Sequence, residues 1–325
     1  MESYDLIILG AGGSGLAGAI YAARLGLKTL VLGASHGTEL PVGGIITTTD
    51  IVENYPGFVK ISGYKLAKKL EEHAKSYKNV IIKKERAILI DKISDGFLVK
   101  TDKVNYKSKT LLFATGTKWK KLDVPGSKEF ANKGVSYCAL CDAPLYKNKI
   151  VAVVGGSDSA VKDALLLTEY AKKVYIIYRG EKIHPEPINM ERIKKNKKIE
   201  IINNTNLKKI KGKNSVTSII LDKPYKGKTS KRGHFKGSKE LKLDGVFVAI
   251  GHTILSELAE KIGVKVNGKK EIIINHKTSE TNVPGIFAAG DVTDKQFKQL
   301  ITGVADACTA AYSAYEYIRK NKIIF

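Results

Sequence analysis

The N-terminal stretch of the chain combines three successive sequence patterns. An apolar run from Tyr4 to Leu9 leads into the glycine-rich segment Gly10 to Gly15, which is followed by the helical spacing of Leu16 to Leu25. In such a strand, turn and helix, glycines permit a tight turn, close approach of a pyrophosphate to backbone N–H groups, and close packing of the helix on the strand. The pattern predicts a dinucleotide-binding unit, with a plain strand-to-helix turn as the alternative.

A second unit of the same kind begins near the middle of the chain. An apolar strand over Ile150 to Val154 precedes the turn Gly155 to Ala160, a helical pattern continues to Tyr170, and Lys173 to Ile177 predicts the next strand. This turn has the form GxSxxA instead of GxGxxG, so the side chain of Ser157 stands where backbone would touch a phosphate. The nucleotide signature of the second unit is therefore less complete than that of the first.

Further apolar runs predict strands in the N-terminal half. Thr29 to Leu32 is predicted as the second strand of the first unit; no acid for a ribose stands at its end, and the nearest acid is Glu39 in the following loop. Ile81 to Ile93, Gly96 to Thr101 and Val104 to Phe113 alternate with turns, which predicts an antiparallel insertion.

The C-terminal part of the chain carries two more apolar strands and one helix. Asp244 to Ile250 is predicted as a strand, and the strand beginning near Val283 ends in Asp291, where an acid is well placed to bind a polyol. The last helix is predicted over Leu300 to Arg319. It includes Cys308, which we interpret as a core residue because a buried free cysteine packs as a small hydrophobe.

Length and composition limit the class of protein. With 325 residues, the chain suits two domains of ordinary size. Its three cysteines are too few for a disulfide framework, and no signal-peptide pattern or apolar run of membrane-spanning length is found. We therefore expect a cytoplasmic protein that does not enter a membrane.

The chain is strongly basic. Its 55 Lys and Arg residues exceed its 32 Asp and Glu residues, which gives a formal net charge of +23. The lysines are spread along the whole sequence, and no zinc-finger, RNP or basic-zipper pattern accompanies them, so nucleic acid is not the expected partner. A solvated lysine-rich surface is the simplest interpretation, with an acidic protein partner as the alternative.

The segment Cys138-Ala139-Leu140-Cys141-Asp142 is the main candidate for chemistry. Two cysteines separated by two residues can be oxidised and reduced repeatedly, and a following acid suits proton transfer. Half of a zinc site is the competing interpretation. Zinc needs two more ligands, and since the only other cysteine is Cys308 and no second CxxC or HxxxH occurs, we predict no metal site.

Taken together, these motifs resemble those of the low-molecular-weight thioredoxin reductases over essentially the whole chain. The matching stretches, in order, are Gly10 to Gly15, Gly43-Gly44 with Thr47 to Thr49, Glu53 to Gly57, Ala114 to Gly116, Cys138 to Asp142, and Gly290-Asp291 with Lys298 to Leu300. The resemblance implies an α/β fold of two Rossmann-like, three-layer ββα dinucleotide-binding domains, the second inserted in the first. An FAD-binding domain would comprise residues 1–114 and 247–325, and an NAD(P)-binding-like domain with the CxxC would comprise residues 117–244.

The resemblance also implies two cofactor sites. The FAD ligands would be Gly10, Gly12, Gly13, Ser14, Gly15, Gly43, Gly44, Thr47, Asn54, Thr115, Gly116, Gly290, Asp291, Lys298, Gln299 and Leu300. The NAD(P) ligands would be Gly155, Ser157, Asp158, Ser159, Ala160 and Arg179.

The resemblance assigns distinct roles to the dithiol residues and implies a homodimer. Cys141 would face the flavin, Cys138 would attack thioredoxin or a thioredoxin-like protein, and Asp142 would protonate the departing thiolate. Because one dithiol cannot touch a flavin and a protein substrate at once, the second domain would swing, with hinges predicted at Thr115-Gly116 and Ile250-Gly251.

The chain departs from the family pattern where NADPH would bind. Reductases of this family have HRRxxxR, whereas Tyr178 to His184 retains Arg179 alone of the three arginines, with Gly180 and His184 in place of the others. Neither replacement reproduces bidentate clamping of a phosphate. Three electron donors therefore remain open: NADPH, NADH, or a protein such as ferredoxin. A dithiol oxidase of the same fold is a further alternative.

Overall fold

The computed structural model describes residues 1–33, 40–225, 227 and 237–321 of the chain. Glu39 and part of the basic cluster from Lys223 to Lys242 lie outside the described residues. The strands are β1 Ser3–Leu9, β2 Thr29–Leu32, β3 Val80–Lys83, β4 Ala87–Ile93, β5 Gly96–Thr101, β6 Asn105–Phe113, β7 Thr117–Trp119, β8 Val135–Ser136, β9 Ile150–Val154, β10 Lys173–Ile177, β11 Ile199–Ile202, β12 Leu207–Gly212, β13 Val216–Leu221, β14 Glu240–Lys242, β15 Gly245–Val248, β16 His252–Ile254 and β17 Ile286–Ala288. The α-helices are α1 Gly13–Arg24, α2 Gly63–Lys75, α3 Ala139–Asp142, α4 Asp158–Tyr170, α5 Pro187–Lys195, α6 Glu257–Lys261 and α7 Leu300–Asn321. Short 3₁₀ helices are formed by Gly44–Thr48, Ala143–Tyr146 and Gly290–Val292.

The described residues divide into two compact units. The first contains residues 1–118 and 254–325, and the second contains residues 119–253. The predicted return to the first domain at residue 247 falls inside β15, which pairs in parallel with β9 of the second unit, so that unit extends through Thr253. The two chain crossings lie in β7 and β16, which form a two-stranded sheet.

The first unit is built on a sheet with the strand order β3-β2-β1-β6-β5-β4, and β17 also pairs with β6. Strands β1, β2, β3, β6 and β17 are mutually parallel. The register aligns Leu9, Phe113 and Ala288, so the residues that follow β1, β6 and β17 emerge at one edge of the sheet. This edge is where ligands bind in open α/β sheets.

One sequence expectation for this sheet is wrong. The pattern predicts that the run from Ile81 to Ile93 lies wholly within an antiparallel insertion, but it forms two strands, and β3 adds to β2 in parallel. The break contains Glu85, whose buried carboxylate accepts hydrogen bonds from Tyr106 and Thr101. The antiparallel part is limited to β4, β5 and the first half of β6.

The second unit is built on a parallel sheet with the strand order β11-β10-β9-β15-β8. Alternate residues of β9 point to opposite layers. Val151 and Val153 pack against helix α4, whereas Ala152 and Val154 pack toward the antiparallel sheet β12-β13-β14. A helical layer, a parallel sheet and a β layer make this unit a three-layer ββα domain, which confirms the predicted fold class.

Candidate active site

The first glycine turn, between β1 and α1, is shaped by the protein's own packing at two positions. Gly10 has a φ of +115°, and a Cβ there would lie 2.2 Å from the carbonyl oxygen of Ala114. A Cβ at Gly15 would lie 1.9 Å from the carbonyl oxygen of Gly10. These two glycines are required for the turn itself and for the close approach of α1 to β1.

Gly12 is different because protein packing does not require a glycine at this position. A Cβ there would meet only the carbonyl oxygen of Gly43, at 3.8 Å. Gly12 is the N-cap of α1, has no side chain to cap the helix, and is followed by a first turn without acidic residues. Space above Gly12 and uncapped N–H groups at the positive end of a 12-residue helix fit a pyrophosphate. The residues present therefore fit the dinucleotide that the sequence predicts.

The second glycine pair, Gly43 and Gly44, lies directly beside this turn. The N–H of Gly43 donates to the carbonyl oxygen of Ala11 over 2.8 Å, and Gly12 and Gly43 form an isolated parallel bridge. Gly44 begins a 3₁₀ turn in which the buried Thr47 hydroxyl donates to the Gly44 carbonyl. Gly43, Gly44 and Thr47 are thus brought next to the first glycine turn, as the sequence predicts for one site.

Residues that follow β6 and β17 complete this edge of the sheet. A Cβ at Gly290 would lie 2.5 Å from Ser14 Oγ, so Ser14 packs directly on the turn that carries Asp291. The hydroxyl of Thr115 donates to the Leu255 carbonyl over 2.7 Å, and Gly116 has a φ of +61°. All of these residues belong to the first unit.

Two distant loops meet at the far end of the site. The Asn54 side-chain amide donates to Gln299 Oε1 over 3.1 Å. The Lys298 ammonium group donates to the Asp291 carbonyl and to Glu271, and a Cβ at Gly13 would lie 2.3 Å from Leu300 Cδ1. The structure therefore gathers the predicted FAD ligands of five separate chain segments along one edge of one sheet.

Cys138 and Cys141 form a disulfide at the start of α3 in the second unit. Cys138 is the N-cap of α3, and its Sγ accepts a hydrogen bond from the Cys141 N–H over 3.2 Å. Cys138 is half-buried, and Cys141 is exposed. This hydrogen bond caps α3 with the sulfur of Cys138, the residue expected to attack a partner disulfide.

Ser136 holds Cys138 in place, a role that the sequence analysis did not predict. The Cys138 N–H donates to Ser136 Oγ over 3.1 Å, and the Ser136 hydroxyl donates back to the Cys138 carbonyl over 3.2 Å. Ser136 is buried and lies in β8, which pairs with β15. The first cysteine is thus fixed to the edge of the parallel sheet.

Asp142 ends α3 and is half-buried. Burial, and then the nearby carboxylates of Asp142 and Asp244, raises the pKa of Tyr146. Tyr146 packs edge-on against Phe247, with ring centroids 5.1 Å apart. Asp142 directly follows Cys141 in α3, and its carboxylate lies near the buried Tyr146.

The glycine turn of the second unit is partly occupied by protein. A Cβ at Gly156 would lie 2.4 Å from the Tyr178 ring, and one at Gly180 would lie 2.6 Å from the same ring. The His184 N–H donates to the Gly156 carbonyl over 2.8 Å, which holds the segment after β10 against the turn. Arg179 is exposed at its edge.

The other predicted NAD(P) ligands follow this turn. Gly155, with a φ of +147°, makes the turn, and Ser157 is the N-cap of α4 without a side-chain capping bond. Asp158 accepts hydrogen bonds from the Glu186 N–H and the Asn189 amide and pairs with Lys162. Burial alone would raise the pKa of Asp158, but these contacts hold it below the ordinary value. Asp158 thus joins α4 to α5.

The last two predicted NAD(P) ligands differ in exposure. The side chain of Ser159 is exposed, whereas Ala160 is fully buried in the core. Ala160 therefore has no surface exposed to a ligand in this structure.

The third cysteine is not the core residue that the sequence predicts. Cys308 lies on α7 and is only half-buried. The core-facing positions of this helix are occupied by Ala307, Ala310, Ala311 and Ala314. Burial of part of its side chain raises the pKa of its thiol to about 11. Among the described residues, no group of three potential His, Cys, Asp or Glu ligands could hold a metal.

The sequence analysis missed three residues of this region: Ser136, Tyr178 as a packing residue, and Glu271. No local motif marks them. Ser136 contacts a residue only two positions away, whereas Tyr178 packs on Gly156 and Glu271 binds Lys298, which are neighbours only in the folded chain.

Comparisons with known proteins agree with this geometry. The family model described as "Pyridine nucleotide-disulphide oxidoreductase" matches residues 4–310. The thioredoxin reductase of Bacillus subtilis is 37% identical over 327 residues, which cover 98% of this chain and 95% of the relative.

Two solved structures are also similar over nearly the whole chain. A Lactococcus lactis thioredoxin reductase has a TM-score of 0.88 and 33% identity, covering 98% of this chain and 99% of that one. A ferredoxin-flavin thioredoxin reductase of Clostridium acetobutylicum has a TM-score of 0.51 and 31% identity, covering 98% of this chain and 99% of that one. The family resemblance predicted from the motifs is confirmed.

Proposed function

This chain belongs to the pyridine nucleotide-disulphide oxidoreductase family, and we propose that it is a flavoprotein disulfide reductase that passes electrons through FAD to thioredoxin or a thioredoxin-like protein. The observation that carries this proposal is the Cys138–Cys141 disulfide at the surface of a chain whose other unit retains an open glycine cradle. Electrons would enter at the first unit and leave through the dithiol of the second.

The proposed chemistry of the dithiol uses the roles that the family resemblance implies. Bound FAD would supply two electrons to the Cys138–Cys141 disulfide. Cys138 Sγ, as a thiolate, attacks one sulfur of the partner disulfide, and the other partner sulfur leaves as a thiolate. Asp142 would protonate that leaving thiolate. Cys141 then attacks Cys138 Sγ, which releases the dithiol of the partner and restores the disulfide.

The partner surface is proposed to include Leu145. This residue follows the dithiol helix, and its apolar side chain is 68% exposed beside the reactive disulfide. A thioredoxin-like substrate must bring its own disulfide to Cys138, so an apolar contact here would hold it in place. Leu145→Ser should raise KM for the protein substrate with little change in kcat.

We also propose a homodimer formed by the helical layer of the first unit. Helices α2, α1 and α7 pack in that order, and they expose Tyr21, Tyr64 and Tyr312 by 48%, 53% and 56%. Exposed aromatic residues are enriched at protein interfaces. Light scattering should give twice the mass of the chain. The double variant with Tyr21→Ser and Tyr312→Ser should give the mass of a single chain.

A cytoplasmic location is proposed because the dithiol must stay in exchange with reduced partners. Among the described helices, none is long and apolar enough to cross a membrane.

The electron donor is the open part of the function. NADPH and NADH are the donors expected from the family. A protein donor is favoured by one observation, the Tyr178 ring that packs over Gly156 at the turn where a nicotinamide cofactor would bind. The net charge of +23 would assist an acidic carrier such as ferredoxin.

Anaerobic stopped-flow measurement would test the donor. The flavin-loaded protein is mixed in turn with NADPH, NADH and reduced ferredoxin, and the loss of flavin absorbance is followed. Rapid reduction by a nicotinamide would mean that Arg179 and the turn suffice for its binding. Reduction by ferredoxin alone would identify a protein donor. If thiols never appear on a thioredoxin-like substrate with any donor, the reductase proposal fails and a dithiol oxidase becomes the better interpretation.

A further inference from the structure

The segment from Gly290 to Leu300 carries five of the expected flavin ligands, yet most of it has no regular structure. Only a 3₁₀ turn at Gly290–Val292 precedes the start of α7. Residues that border a cofactor must be held within a fraction of an ångström to bind it well. Contacts from elsewhere in the first unit must therefore fix this segment.

Lys298 provides the main contact within the segment. Its ammonium group donates to the Asp291 carbonyl over 2.9 Å and to Glu271 Oε1 over 2.5 Å. The first bond closes a loop of seven positions, and the second ties this loop to a different part of the chain. One cation therefore holds the backbone of Asp291, whose carboxylate is the expected partner of the flavin polyol.

Glu271 is itself anchored. Its second carboxylate oxygen accepts from the Asn267 amide over 2.7 Å. The neighbouring backbone pairs with the flavin loop, because the Ile272 N–H donates to the Val292 carbonyl over 2.8 Å and the Asp294 N–H donates to the Ile272 carbonyl over 3.0 Å. Glu271 thus belongs to a support that runs alongside the loop from Asp291 to Asp294.

The ion pair is largely shielded from water. The side chains of Lys298 and Glu271 are 25% and 14% exposed. Burial alone would raise the pKa of Glu271, but the hydrogen bonds from Lys298 and Asn267 hold it below the ordinary value. Loss of either partner would leave the other charge poorly solvated, which costs far more than loss of an exposed pair.

We propose that Glu271 and Lys298 form a positioning pair that holds the Asp291 backbone and the loop up to Gln299 in the conformation that receives the flavin. The inference rests on the proposed function, since the ligand is taken to be FAD. Glu271 does not touch the cofactor in this account. It acts through Lys298, and Lys298 acts through the Asp291 carbonyl.

The test uses the full chain with its flavin removed and then titrated with FAD, with binding measured by quenching of flavin fluorescence. Glu271→Gln and Lys298→Met should each weaken FAD at least tenfold. The double variant should bind no more weakly than Lys298→Met alone, because Glu271 acts only through Lys298. Lys298→Arg, which retains the charge, should recover most of the affinity.

The control is Glu260→Gln, which removes one charge of the neighbouring but more exposed Lys270–Glu260 pair. It should leave FAD binding unchanged. The absorption spectrum and midpoint potential of the bound flavin provide a readout that general destabilisation would not move, and both should shift in Glu271→Gln. Melting of the flavin-free variants reports whether they fold.

The outcomes separate this inference from the proposed function. If Glu271→Gln and Lys298→Met bind FAD within twofold of wild type, the positioning pair is overturned while the reductase proposal stands. Additive losses in the double variant, or no recovery with Lys298→Arg, would also overturn it. If the wild-type chain binds no FAD, the proposed function fails and this inference fails with it.

Discussion

Asn54 and Gln299 are 245 positions apart in the sequence and are joined by a hydrogen bond of 3.1 Å. The bond links the loop before α2 to the loop before α7, and both loops carry residues that we expect to border the isoalloxazine. Asn54→Ala and Gln299→Ala should each weaken FAD about threefold to tenfold, as expected for loss of one hydrogen bond. A double-mutant cycle on the FAD dissociation constant measures the coupling, and strictly additive effects would contradict a shared role.

Glycines of the first turn should respond differently to alanine. Gly12→Ala should fold normally, since its Cβ would meet only the Gly43 carbonyl at 3.8 Å, but it should lose most FAD binding by filling the space for the pyrophosphate. Gly10→Ala and Gly15→Ala should instead be destabilised by several kcal/mol, because their Cβ atoms would overlap backbone oxygens. Melting of the flavin-free proteins and FAD titration distinguish the two classes. A flavin-binding Gly12→Ala would contradict the cradle.

The two cysteines should be separable by trapping. Cys141→Ser leaves Cys138 free to attack, so a stable mixed disulfide should form with an oxidised thioredoxin-like substrate, while turnover falls at least a thousandfold because the flavin-side thiol is lost. Cys138→Ser is the matched variant and should trap little. Non-reducing electrophoresis measures both. The reverse result would exchange the assigned roles of the two residues.

Ser136 should affect the dithiol without affecting the flavin. Ser136→Ala removes both side-chain bonds to the Cys138 backbone, so we expect transfer to the protein substrate to slow about threefold to tenfold. Ser127→Ala, a change at another buried serine of the same unit, serves as the control. Alkylation rates of the reduced protein across pH report on Cys138 directly. Unchanged rates in Ser136→Ala would argue against a positioning role.

Asp163 on α4 should make stability depend on pH. Burial raises its pKa to about 7, so the folded chain retains a proton that the unfolded chain releases near pH 4. Stability should therefore fall as pH rises from about 4 to 7 and then level off. Asp163→Asn buries no charge, so its free energy of unfolding should exceed that of the wild type by about 1–3 kcal/mol at pH 8. Denaturant unfolding at pH 5 and pH 8 measures this, with the exposed Asp123→Asn as control.

The sequence alone predicted the features that are encoded locally. A strand, a glycine turn and a helix occupy about 20 consecutive residues, so Gly10 to Gly15 and Gly155 to Ala160 are recognisable as βα turns from the order of their residues. The dithiol is equally local, because its two cysteines share one helical turn. The replacement of two family arginines by Gly180 and His184 is also visible in the sequence itself.

Tertiary structure decided the features that depend on which strands become neighbours. Strand β3 joins β2 in parallel, β15 keeps residues up to Thr253 in the second unit, and Cys308 remains half-buried because alanines fill the core beside it. The contacts Asn54–Gln299 and Glu271–Lys298 join segments that no short-range periodicity relates. Hydrophobic spacing determines whether a segment forms a helix or a strand. Which residues of distant segments come into contact is determined by strand register and loop packing, and only the folded chain defines these.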